Sequence, residues 1–116
     1  MRASKLGAGL ALAVLANLAG GAARADLACR FETECFAGEG CGESGFALEV
    51  VDGDPAVLST EFGDLPVLAV TGGGARLAEG AGMSVLLSRD PDGAARASVH
   101  MEGMAITYLG TCEGED

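Results

Sequence analysis

The chain has 116 residues, 49% of them hydrophobic, with a formal net charge of −10. That length allows a single domain. All 17 acidic residues lie beyond residue 25, but only four of the seven cations do: Arg30, Arg76, Arg89 and Arg96. Segment 26–116 therefore sets four cations against 17 carboxylates, a formal −13. The one lysine, Lys5, precedes it, which excludes from that segment lysine chemistry, a Walker-type phosphate loop and a basic nucleic-acid footprint.

Arg2 and Lys5 form a short positive region, followed by an apolar stretch, Leu6 to Ala19. Ala23-Arg24-Ala25 then offers small residues at the −3 and −1 positions of a cleavage site. The pattern predicts a secretory signal peptide over residues 1–25, cut between Ala25 and Asp26. The apolar stretch is shorter than the roughly 20 residues a membrane helix needs. No later run is long enough, so no permanent membrane insertion is expected after cleavage. The product, residues 26–116, is expected in the periplasm or outside the cell.

All four cysteines, 29, 35, 41 and 112, fall in the exported segment. An even number in an oxidising compartment predicts two disulfides. The C-x5-C-x5-C spacing does not suit zinc, whose cysteine pairs stand closer. Residues 27–36 alternate: Leu27, Cys29, Phe31, Thr33 and Cys35 share one face, and Ala28, Arg30, Glu32, Glu34 and Phe36 the other. Phe36 is the exception to an apolar-in, polar-out strand. Six extended residues put Cys29 about 20 Å from Cys35, too far for a bond. The glycines at 38–42 make a turn that returns Cys41 towards Cys35. The expected pairs are Cys35–Cys41 and Cys29–Cys112.

Further short apolar runs follow in chain order: 46–51, 56–62, 65–71, 83–89, 94–102 and 104–111, with turns at Asp52–Pro55 and Asp90–Gly93. Residues 75–79 suit either a strand or a helical turn. In the last two runs Ala95, Ala97, Val99 and Met101 share a face, as do Met104, Ile106, Tyr108, Gly110 and Cys112. The pattern predicts an all-β fold: a small antiparallel meander barrel or sandwich of seven or eight short strands. The tail, 113–116, is acidic and expected to fray.

Candidate chemistry is sparse. The one histidine, His100, falls on the polar face of its strand. No G-x-S-x-G nucleophile motif is present, since Phe46 stands where the last glycine belongs. The aspartate pairs at 52/54 and 90/92 are explained by turn chemistry without calcium. His100 and Met101, with Met83 and Met104, would suit copper by residue type. His100 and Met101 point to opposite faces, however, so the methionines are assigned to packing. No catalytic residue, cofactor or metal site is expected.

The segments Cys29–Phe36 and Ile106–Glu113 resemble the cysteine-bearing ends of small uncharacterised secreted, disulfide-bonded proteins of Gram-negative bacteria. That resemblance implies export and brings no activity. The chain also has a weak similarity to the periplasmic inhibitors of C-type lysozyme, small disulfide-stapled β-barrels whose inhibitory loop carries Ser-Gly-x-x-Tyr. Here Gly73-Gly74-Ala75-Arg76-Leu77 keeps one glycine and has neither the serine nor the tyrosine. The family's lysine-bearing motif has no counterpart, and no inhibitory residue carries over.

The acidity points to basic partners through long-range steering. The expectation is a non-enzymatic acidic binding module, such as an inhibitor, for a basic partner protein, with no nucleic acid involved. The alternative is a structural or stress-related envelope protein without a discrete ligand.

Overall fold

The structure, a computed structural model, describes residues 26–114. The predicted signal peptide, including Ala23 and Ala25, lies outside the described residues, as do Glu115 and Asp116. Eight antiparallel strands follow one another: β1 (Leu27–Phe36), β2 (Gly40–Val51), β3 (Val57–Thr60), β4 (Gly63–Val70), β5 (Arg76–Gly80), β6 (Met83–Arg89), β7 (Ala94–Met101) and β8 (Met104–Gly114). Each pairs with the next and β8 returns to β1, closing a meander barrel. Closure leaves no unpaired sheet edge.

The core follows from alternation. Leu48 and Val50 on β2, Met83, Val85 and Leu87 on β6, and Ala95, Ala97 and Val99 on β7 are all buried. Alanines at 78, 95 and 97 leave room inside a narrow barrel for Phe31, Phe46 and Tyr108. Residues 76–80 are a strand, paired from Arg76↔Leu87 to Gly80↔Met83. Residues 90–93 form the expected turn, with the Gly93 N–H bonded to the Asp90 carbonyl at 2.9 Å. Gly93 sits at φ +98°, where a side chain would be strained. The Asp92 carboxylate accepts the Ala94 N–H at 2.9 Å, so this cluster serves its own turn.

Both disulfides match the expected pairing: Cys29–Cys112 and Cys35–Cys41. Cys29 stands directly opposite Cys112 across the β1–β8 seam, and Cys35 opposite Cys41 across the first hairpin.

Three expectations need correction. The turn before Cys41 is shorter than expected: only residues 37–39 leave the strands, and Gly40–Gly42 belong to β2. The acidic tail is ordered further than expected, because Glu113 and Gly114 pair with Ala28 and Leu27. Most consequential, β1 does not alternate strictly. Its register shifts between Phe31 and Thr33 against both neighbours. Glu32 is unopposed by β8, and on β2 it faces Ser44 and Gly45 together. The Ser44 hydroxyl accepts the Phe46 N–H at 3.0 Å at this bulge. Beyond it Glu34 lies opposite Tyr108 and Phe36 opposite Ile106. Directly opposed residues share a face, and Tyr108 and Ile106 are buried. Glu34 and Phe36 therefore turn to the inner face, while Thr33 and Cys35 turn outward. Phe36 packs partly against the core.

Candidate functional site

The barrel has two unlike ends. One carries the turns β2–β3, β4–β5 and β6–β7 with Asp26 and Gly114. The other carries the turns at 37–39, 61–62, 81–82 and 102–103. This second end, with the four hairpin turns, holds Glu34, Glu39, Glu43, Glu61, Glu79 and Glu102. The four arginines among the described residues lie elsewhere: Arg76 and Arg89 at the far ends of β5 and β6, and Arg30 and Arg96 paired with Thr111 and Leu109 on β8. His100 is the only basic side chain near this second end among the described residues.

An aromatic stack opens at this end. Phe46 lies 4.4 Å from Tyr108 between ring centroids, 5.8 Å from Phe31 and 6.5 Å from Phe62. Phe31, Phe46 and Tyr108 are buried, but Phe62 is 57% exposed. Its turn is held by Thr60, whose hydroxyl accepts the Phe62 N–H at 3.0 Å and donates to the Gly63 carbonyl at 2.9 Å. Burial first, then the carboxylates of Glu34 and Glu61, push the Tyr108 phenol above its ordinary 10.0. Among the described residues its hydroxyl has no hydrogen-bond partner. The stack thus presents an aromatic face, two carboxylates and a phenolic hydroxyl on a buried base.

A second feature lies beside it. A cleft of about 590 Å³ opens at the tips of the β5–β6 and β7–β8 hairpins. Glu79, Met83, Ser84, His100, Met101, Glu102 and Met104 are among its lining. His100 is exposed on the outer face, as its strand position predicted. It stands opposite Ser84, so serine, histidine and glutamate are neighbours here. Their order does not suit a nucleophile. The Ser84 hydroxyl donates to the Glu79 carboxylate at 3.1 Å rather than to an imidazole. Acid–base activation of serine needs histidine as the acceptor.

Strict alternation in the sequence hid Glu34 by placing it with the outward residues. The signal was present: Phe36 is the one large apolar residue in the outward row, as a register break would produce. Phe62 carries no sequence signal beyond an aromatic beside a turn.

The two disulfides are compatible with an oxidising, extracytoplasmic location. No family model, curated protein or solved structure matches this chain.

Proposed function

We propose that this chain is a non-enzymatic binding module of the periplasm that engages a basic partner protein at the barrel end carrying Glu61 and Phe62. The observation that carries the reading is Phe62, exposed beside Glu61 and stacked on the buried Phe46. A lysine or arginine side chain from the partner lies over the aromatic face while Glu61 and Glu34 meet its charge. Such a cation–π contact contributes about 0.5–1 kcal/mol when exposed and about 2 when desolvated. The six glutamates of this end add steering, which raises the association rate and is screened by salt. A rigid barrel suits this role, because few groups need ordering on binding.

The test is capture of basic periplasmic proteins by the immobilised barrel at about 50 and about 500 mM salt, screening lengths that differ roughly threefold. Calorimetry with a deca-lysine peptide supplies a defined probe. The expected result is salt-sensitive binding that Phe62→Ser and Glu61→Gln each weaken. No capture at low salt, or capture indifferent to both substitutions, would overturn the reading. It would favour an envelope protein with no discrete ligand.

A further inference from the structure

Every methionine among the described residues lines the same cleft: Met83, Met101 and Met104. The register explains the convergence. Met101 is directly paired with Met104 across the β7–β8 hairpin. Ser84 is paired with His100, which places Met83 level with Met101 on the adjoining strand. The three residues occupy the last rung of three neighbouring strands. Met83 and Met101 continue the inward rows of Val85 and Val99, and Met104 that of Ile106. Neighbouring Cβ atoms at such positions are about 4.5–5.5 Å apart, within reach of flexible side chains with three rotatable bonds.

Packing accounts for Met83, in the core, and partly for Met101, which rests against it, but not for Met104. Met83 is 6% exposed and Met101 half-buried, but Met104 is 46% exposed. The row therefore runs from the barrel wall out to solvent. The cleft's remaining lining is chiefly glycine and polar, with Glu79 and Glu102 adding negative charge. All four cysteines are tied in disulfides, so no thiolate competes. Thioethers are soft ligands and select soft monovalent cations, Cu(I) above all, over hard divalent ones.

We infer that the Met83–Met101–Met104 row is a binding site for one Cu(I) ion, held by the three thioether sulfurs at the open end of the cleft. The ion enters and leaves as Cu(I), so no oxidant or reductant is consumed. His100 lies on the opposite strand face and is not a ligand. This inference stands apart from the protein-binding reading, which uses Phe62, Glu61 and Glu34.

The experiment titrates the disulfide-bonded protein with Ag(I), as a redox-inert probe, by calorimetry. In parallel it competes for Cu(I) against a chromophoric chelator under ascorbate. Methyl-¹³C methionine spectra identify the sulfurs engaged. The expected result is one ion per chain with the methyl signals of residues 83, 101 and 104 shifting together. Met101→Leu should weaken binding roughly tenfold or more. The triple Met→Leu variant, which conserves volume and apolar character, should keep the thermal transition of the parent and lose the site. His100→Gln should bind as the parent does. Absence of binding by the parent, an unchanged triple variant, or loss of binding in His100→Gln would overturn the assignment. If the triple variant fails to fold, the methyl shifts of the parent still decide it.

Discussion

Replacing Gly110 with alanine should loosen the barrel at its seam. Gly110 lies on β8 opposite Phe31 of β1, beside the bulge. A Cβ there would overlap the Arg30 carbonyl oxygen, stand 2.6 Å from the Phe31 Cα and 2.8 Å from the Arg30 carbonyl carbon. All three are backbone atoms, so no side-chain rotation relieves the contact. β1 and β8 must separate locally, and the ladder bonds that close the barrel are strained. Overpacking typically costs about 1–3 kcal/mol, and an obstacle made of backbone belongs at the upper end, about 3 kcal/mol. A domain of this size has a total stability of roughly 5–13 kcal/mol, so the loss is a large fraction. Urea unfolding of the oxidised protein, followed by far-ultraviolet circular dichroism, measures it. At a slope of about 1 kcal/mol/M the midpoint should fall by roughly 3 M. Gly45→Ala is the control. It also lies at the bulge, but an added Cβ meets nothing within 4 Å, and its cost should stay within about 0.5 kcal/mol. The Cys29–Cys112 bond clamps the seam two residues away. Without it the strands relax more easily, so the two perturbations should be sub-additive. A Gly110→Ala variant within about 0.5 kcal/mol of the parent would refute the close-packed seam.

Other outcomes are equally specific. Chain entropy assigns the Cys29–Cys112 bond, at a sequence separation of 83, about 4–5 kcal/mol and the Cys35–Cys41 bond, at a separation of 6, about half that. Denaturant curves of the two double-alanine variants should keep that order, and equal losses would contradict it. Tyr108 is the only tyrosine, so absorbance near 295 nm titrates it alone, and its midpoint should lie above 10.0. A raised acid pKa means that folding favours the neutral phenol. That stabilisation is complete below pH 10 and is lost as pH rises through the folded-state value, so Tyr108→Phe should flatten the alkaline loss of urea stability. An absorbance midpoint at or below 10.0 would contradict this reading. Phe46→Ala removes the centre of the aromatic stack and should cost about 3–5 kcal/mol by thermal or urea unfolding. Mass spectrometry of exported material should find a chain beginning at Asp26, and a full-length membrane-bound species would contradict the cleavage reading.

Much of this architecture was legible in local pattern. Alternation along β7 and β8 assigned Ala95, Ala97, Val99, Ile106, Tyr108 and Cys112 to the interior, and each is buried, whereas Met101 and Gly110 of the same rows are half-buried and Met104, at the strand end, is exposed. Turn chemistry marked Asp90–Gly93. Extended-chain reach excluded Cys29–Cys35, and an even-numbered meander brought Cys29 opposite Cys112. These inferences succeed because side-chain period and chain reach are properties of the strand itself. Other features depend on neighbours. Whether residues 75–79 form a strand was decided by the partners that β4 and β6 offer. The bulge at Glu32 arises where Gly110 lets β8 approach closely and Ser44 satisfies a displaced amide. A single such residue reverses the facing of everything after it. It turned Cys35 outward and Glu34 inward beside Tyr108. The gathering of Met83, Met101 and Met104 on one rung likewise required three strand registers at once. Sequence alone determined the fold class, the disulfides and the acidic character. Only tertiary pairing decided which side chains meet, because register is a relation between strands and no single strand contains it.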